Sequence, residues 1–406
     1  MHTAAMSVVV VAGLALSACS SGGGGGDAPA TSKATTPALT GKPIIIGLDE
    51  DSTGAGASYS VIAGKTIRDA VDEINEKGGI LGRPVQLSVA NDESDPTKAP
   101  SVVRQLIDAG SVALLLQSSS TAVNQAKPII QQAKIVSVAP TSISQTFGSA
   151  PDNDYAYSLA NLLNDFVKVY CGAFKAAGYT KLAVLSDASV TIDGVNKLLL
   201  PGLQQCITIV AQEKAPLDAA DLNAQVSRLK GASPDVILVS SVGGNFEVLA
   251  HNTLSQQVPT IQRFSLASIG NQPASWKLAS PGALKGLVFM GSIDPNNPRT
   301  KTLQQMLSAR RGESYTVTAY DAQAYDSVQI IKKAIEKVGS TDDISKIKGA
   351  MDAITAYPAT FGADKFTLSF GPTKHLGADG LCGLVLTQFG ADNKPTGAWD
   401  KYQPPC

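Results

Sequence analysis

The sequence predicts an α/β fold of two lobes, each a doubly wound parallel sheet with helices on both faces. Three observations carry the prediction. Short apolar runs alternate with amphipathic stretches from residue 43 onward, the alternation starts afresh near residue 162, and Ser, Thr and Gly gather just after successive apolar runs. Alternating strands and helices build a parallel sheet because each crossover helix must pack back onto a sheet face. The stretch 43–406 is also long enough for two ordinary domains.

Residues 44–48 form an apolar run that reads as the first strand, and 58–77 as a helix with Ile62, Ile67, Val71 and Ile74 on one face and Gly78-Gly79 at its end. Val85, Leu87 and Val89 alternate as in a strand, a helix follows over 99–109, and a strand over 112–116. The next helical stretch runs to Ala133 with Pro128 inside it, where the missing N–H predicts a kink or a division in two. A strand at 135–138 completes the first set. The second set comprises helix 162–177, strand 182–185, helix 194–205, strand 207–210, a helix bearing Leu222, Val226 and Leu229, strand 236–239, helix 246–255 and strand 262–266.

The residues after these strands point to function. Gln117-Ser118-Ser119-Ser120-Thr121, Thr141-Ser142, Ser186-Asp187 and Ser240-Ser241 with Gly243-Gly244 all follow strands. In open α/β sheets ligands bind beyond the carboxyl ends of the strands, so these hydroxyls and amides are expected to converge on one crevice. Ser and Thr are also common helix caps, which accounts for any one cluster but less well for four. No clustered Lys or Arg accompanies them to hold a phosphate, so a small monocarboxylate or a neutral polar molecule fits best.

Composition and missing motifs exclude other classes. A net charge of −1 gives no reason to expect nucleic acid. There is no G-x-S-x-G elbow, no H-E-x-x-H and no P-loop, and Gly54-Ala55-Gly56 lacks the third glycine of a dinucleotide fingerprint. Asp92 and Asp95 are acid or base candidates, but paired carboxylates are more often solvated. Neither His251 nor His375 sits beside a cysteine pair with ligand spacing, so no metal and no cofactor is expected.

The N-terminal apolar run 8–16 is too short to span a bilayer and suits a signal peptide, although no Lys or Arg precedes it. It ends in Leu16-Ser17-Ala18-Cys19, which resembles a bacterial lipobox. That resemblance implies a signal over 1–18, cleavage before Cys19 and a lipid on its thiol. Residues 19–42, rich in Gly, Ser, Ala, Thr and Pro, then form a flexible linker reaching about 25 Å as a random coil. The remaining Cys171, Cys206, Cys382 and Cys406 are an even count in an exported chain. Of three connectivities, Cys171-Cys206 with Cys382-Cys406 is preferred because each pair lies in one region of the chain, reduced thiols being the alternative.

Two longer stretches carry a family resemblance. Ala70-Val71-Asp72-Glu73-Ile74-Asn75-Glu76-Lys77-Gly78-Gly79-Ile80-Leu81-Gly82 resembles the segment A-V-x-x-I-N-x-x-G-G-I-x-G of leucine/isoleucine/valine-binding proteins. Asn91 to Pro96 is similar to their D-D-x-x-D-P motif, and Ser118-Ser119-Ser120-Thr121 to their serine-rich ligand loop. The resemblance implies a type I periplasmic-binding fold whose lobes, 43–158 plus 293–368 and 159–292 plus 369–406, close on a solute through three crossovers near Ser158, Ser292 and Ser369. It also implies delivery of the solute to a permease driven by an ATPase at the outer face of the cell membrane, or, as the alternative, a sensing receptor using the same trap.

Carried over by position, Ser118 would bind a ligand carboxylate with Ser119 beside it, Tyr59 would stack over the ligand, and Thr141 and Ser142 would offer backbone groups. Ile143 stands where the family has a hydroxyl. In the second lobe the usual tyrosine aligns with Thr191, the usual aromatic with Val242, and the acid that pairs with an ammonium falls near Ser268. The resemblance therefore departs where an α-amino group would be held, with Asp187 and Asp193 as candidate replacements.

Overall fold

The computed structural model describes residues 39–144 and 146–406. Cys19, the predicted signal and most of the linker lie outside the described residues. Two sheets organise the rest. The first holds β1 (Ile44–Glu50), β2 (Val85–Ala90), β3 (Ala113–Gln117), β4 (Ser137–Ala139) and β5 (Ala156–Ser158), all parallel in the order β2-β1-β3-β4-β5. Helices α1 (Ala57–Glu76), α2 (Ala99–Asp108), α3 (Ser120–Gln125) and α4 (Lys127–Ala133) connect them. The division between α3 and α4 is the expected effect of Pro128, which sits in the first turn of α4, where no N–H is needed.

The second sheet is built first from β6 (Lys181–Asp187), β7 (Thr208–Ala215), β8 (Val236–Ser240), β9 (Gln262–Ser265) and β10 (Val288–Met290). Its helices are α5 (Leu163–Ala177), α6 (Val190–Leu203), α7 (Asn223–Gly231), α8 (Gly244–Gln257) and a single turn, α9 (Pro273–Trp276). Helix α6 begins four residues before the expected Gly194, because Ser189 caps it by accepting the N–H of Ile192 at 3.2 Å. Strand β1 runs past the expected end at 48 to include Asp49 and Glu50, which hydropathy alone reads as a break.

The chain then returns to the first sheet with α10 (Pro298–Arg311), α11 (Ala319–Val338) and α12 (Ser345–Asp352), and α11 packs its apolar face with α1 and β1 in one core. After a two-residue pair, β11 (Tyr357–Pro358) and β12 (Thr367–Leu368), it crosses back and adds β13 (Leu386–Phe389) and β14 (Pro395–Ala398). The second sheet is thus ordered β14-β13-β10-β9-β8-β6-β7, with β13 antiparallel to β10. This antiparallel edge is an addition to the parallel sheet the alternation predicts.

The chain passes between the sheets after Ser158, after Met290 and after Leu368. These connections lie side by side: Ser158 bridges Leu376, Ile293 bridges Gly362, and Asn161 Nδ2 donates to the Gly380 carbonyl at 2.8 Å.

The sulfurs of Cys171 and Cys206 lie 1.93 Å apart. The expected Cys382-Cys406 bond is not formed. Cys382 is buried and Cys406 exposed, both as free thiols. Burial, together with the neighbouring Cys406, raises the Cys382 thiol above its usual range.

Candidate functional site

A cavity of about 90 Å³ lies between the carboxyl ends of the two sheets. A single water needs at least about 10 to 15 Å³ of such space, so the cavity holds several waters or a small organic solute. The first sheet and its helices contribute Tyr59, Ser118, Ser120, Thr141, Ile143 and Tyr320; the second contributes Phe166, Thr191, Ile192, Val195, Ser241, Val242, Leu266, Ala267 and Ser268. Among the described residues, no ionisable acid or base other than the two tyrosines lines it.

Each first-wall group is placed by its element. Ser118 follows β3 and donates its hydroxyl to Asp92 Oδ1 at 2.5 Å. Thr141, after β4, accepts from Gln117 Nε2 at 2.8 Å, and Ser120 pairs with Ser142 Oγ at 3.1 Å. Tyr59 stands on the first turn of α1 with Tyr320 opposite on α11, ring centres 5.7 Å apart. Tyr320 is set by the start of its helix, where Thr318 N donates to Asp321 Oδ2 at 2.9 Å and Thr66 on α1 donates to Asp321 Oδ1 at 2.5 Å. Burial, then the nearby Asp51 and Asp92, raise the Tyr59 phenol well above its ordinary range, so it stays protonated.

Behind this wall lies a carboxylate pair. The Asp92 amide donates to Asp49 Oδ1 at 3.2 Å, and the Oδ2 atoms of both residues are buried without a partner. Burial and mutual repulsion raise the Asp49 carboxyl, and burial raises that of Asp92. Two full negative charges side by side are therefore disfavoured there.

The second wall rests on a different scaffold. Ser268 donates to the Ser241 carbonyl, and Ser241 Oγ accepts the Gly243 amide at 3.0 Å. Glu247 on α8 lies behind them, accepting from Ile269 N at 3.1 Å and from Ser265 Oγ. Burial pushes its carboxyl up to about 8. Burial, then Arg263, hold His251 neutral beside it.

The two walls also touch each other directly. Ser58 Oγ on α1 donates to the Val242 carbonyl at 2.9 Å and accepts from Gln272 Nε2 at 3.1 Å. Gln272 is held by the Gly244 amide at 2.8 Å, and Gly243 (φ +95) must be glycine because a Cβ there would come within 2.4 Å of the Gln272 amide. Ala319 N donates to Asn271 Oδ1 at 2.9 Å nearby.

Of the residues expected from sequence, the cavity brings together Tyr59, Ser118, Thr141, Thr191, Val242 and Ser268. Ser119, Ser142 and Asp187 do not line it. Ser119 caps α3 through the Ala122 amide at 3.2 Å, and Ser142 supports Ser120 and Ser158. Asp187 is fully buried and committed to its own loop, accepting Val242 N at 2.8 Å, Ser189 N at 2.9 Å and Ser189 Oγ at 2.5 Å. Asp193 is half exposed and paired with Lys214. Neither offers a carboxylate to the cavity.

Ser120 and Ser241 belong to the Ser clusters read from sequence without being singled out. Phe166, Ile192, Val195, Leu266, Ala267 and Tyr320 went unrecognised. They sit at the starts of helices or just past strand ends, and an apolar residue there looks like ordinary core.

The comparisons with known proteins agree with this architecture. Residues 43–379 match the periplasmic binding protein family. A Leu/Ile/Val-binding protein of Rhizobium johnstonii is 25% identical over 332 residues, covering 79% of this chain and 86% of that one. A Leu/Ile/Val-binding protein homologue of Brucella melitensis is 25% identical over 323 residues, covering 76% and 83%. Among solved structures, a leucine-binding protein of Thermotoga maritima superposes with a TM-score of 0.72 at 18% identity, over 88% of this chain and 98% of that one. A branched-chain amino acid transporter substrate-binding protein of Streptococcus pneumoniae, in complex with isoleucine, gives 0.68 at 20%, over 85% and 100%. With the match covering 43–379, well over half of its length, this chain belongs to the periplasmic binding protein family.

Proposed function

We propose that this chain is the exported solute-capturing component of an ABC importer. It takes a small amino acid or a related, partly apolar carboxylate or amide between two lobes and delivers it to permease and ATPase subunits. The observation that carries the reading is a solute-sized cavity whose walls come from both sheets and whose far edges are joined by Ser58, Val242 and Gln272. The lobes are 43–158 plus 293–368 and 159–292 plus 369–406, hinged on the three adjacent connections. Cys19 anchors the protein by a lipid, and a disulfide joins Cys171 to Cys206. Closing changes the outline of the protein, which is what a permease reads.

Thermal melting of the protein with amino acids, aliphatic carboxylates, amides and ureas tests this reading. A solute at 100 times its dissociation constant stabilises by about 2.7 kcal/mol and raises Tm clearly. No shift with any member of the panel would sink it.

A further inference from the structure

We propose that the solute carries a neutral hydrogen-bonding group, a primary amide, at its far end, and that this end seats in a second compartment beside the main cavity, at the hinge. The proposal rests on the solute-capture reading and narrows the solute class.

A smaller cavity of about 30 Å³ adjoins the main one, and the two share Thr141, Ile143, Phe166, Ala267 and Tyr320. It holds about two waters, or an end group of similar size. All three connections between the sheets contribute to it. Ala160 and Asn161 follow the first, Ser292 the second, and Gly383 and Leu384 the third.

Its polar groups are unspent. Gln323, one turn beyond Tyr320 on α11, is only 7% exposed, yet its side-chain amide finds no hydrogen-bond partner among the described residues. Ser292 is buried too, and its hydroxyl is likewise unpaired among the described residues. Thr141 accepts from Gln117 Nε2 at 2.8 Å, which leaves its own hydroxyl hydrogen to donate. Asn161 gives Nδ2 to the Gly380 carbonyl at 2.8 Å and to Asp165 Oδ2 at 3.3 Å, and its Oδ1 is buried with no partner.

Buried polar side chains are normally paired, so four with unused capacity around one small cavity mark a place for a polar guest. Both donors and acceptors remain, and a primary amide offers both in return. Among the described residues no Lys, Arg, His, Asp or Glu lines either cavity, so a charged end would lose its water without gaining a counter-charge. A methyl end would leave the buried Gln323 amide unsatisfied.

Calorimetry with probes of matched shape tests this. Leucine and asparagine have side chains of one shape, the first ending in methyls and the second in an amide; homoleucine and glutamine repeat the pair one carbon longer. The pairs 4-methylpentanoate with succinamate and 5-methylhexanoate with glutaramate cover both lengths without the α-amino group. At the length that reaches the compartment, the amide-ended probe should bind at least about tenfold more tightly than its methyl-ended partner. Methyl-ended probes binding as tightly as their partners at every length overturn the proposal. Succinate or glutarate matching the corresponding amide overturns it as well.

Gln323→Leu keeps the volume and removes the hydrogen bonds. It should abolish the difference between the two ends, whereas equal loss for both assigns Gln323 to the fold and counts against the proposal. The same variant gives a reading without any solute. A side chain kept for a guest rather than for the fold leaves the unfolding midpoint of the empty protein unchanged or raised when Leu replaces it, and a clear fall overturns the proposal. No binding by any probe or any member of the melting panel removes the solute-capture reading and this proposal with it. Binding without preference for the amide end removes this proposal alone.

Discussion

On the first sheet's side the cavity meets five hydroxyl-bearing residues, Tyr59, Ser118, Ser120, Thr141 and Tyr320, with Ile143 the one exception. On the second sheet's side Phe166, Ile192, Val195, Val242, Leu266 and Ala267 outnumber Thr191, Ser241 and Ser268, and the Ser268 hydroxyl is spent on the Ser241 carbonyl. Both walls lie at strand ends of similar sheets, so topology does not explain the contrast. The residues do, and a cavity of this kind orients an amphiphilic solute. The polar end faces the first wall and the apolar body lies against the second, where covering about 100 Å² of apolar surface contributes on the order of 2.5 kcal/mol.

The largest expected effect comes from hollowing out the apolar wall. Phe166 is nearly fully buried and packs edge-on against Tyr170. Phe166→Ala should destabilise the protein by about 3 to 5 kcal/mol, read from urea unfolding. An unchanged midpoint would mean that Phe166 is not part of the wall's foundation.

Placing an acid on that wall breaks the contrast directly. Ser268→Glu should lower the stability of the empty protein by about 2 kcal/mol, because the new carboxyl has no partner. Leucine should then raise Tm more in the variant than in the parent. A smaller shift in the variant would show that a nitrogen is not accommodated near position 268.

The acid behind the second wall gives a pH signature. Burial lifts Glu247 from 4.5 to about 8 in the folded chain, so the folded state binds the proton more tightly than the unfolded one. Its stabilising share is complete below about 4.5 and is lost as pH climbs through about 8. Denaturation midpoints should therefore fall across that window, and Glu247→Gln should flatten the fall. An equal slope in the variant would assign the effect to other buried acids such as Asp326, which burial raises to about 7.

The smallest effect concerns the contact between the walls. Ser58→Ala removes one hydroxyl that bridges Val242 and Gln272 without lining the cavity. Solute affinity should weaken by about 1 kcal/mol, several-fold, for every solute alike, with the unfolding midpoint of the empty protein nearly unchanged. A change in the rank order of solutes would place Ser58 in the binding set instead.

The fold was legible because its strands are continuous apolar runs and its helices keep a 3.6-residue apolar face, signals that survive without tertiary context. Boundaries slipped where polar residues are buried. Asp49 and Glu50 extend β1, and Ser189 starts α6 early, because a hydrogen bond rather than hydropathy decides the end. At the site, strand-terminal hydroxyls were readable as a group, but their hydrogen-bond partners were not. That Asp187 is consumed by Val242 and Ser189, or that Ser118 is paired with Asp92, depends on partners 55 and 26 residues away. Tyr320 arrives from a helix more than 250 residues beyond Tyr59, and nothing in its neighbourhood marks it as belonging to a cavity.

The three neighbouring connections have an evolutionary consequence. They are the covalent links between the sheets, so a mutation on one wall is insulated from the other by a narrow bridge of backbone. Each wall can drift on its own, and a lineage can keep the reading head for one end of its cargo while exchanging the part that judges the other. A shared outline with a divergent diet is the expected product of such a bridge.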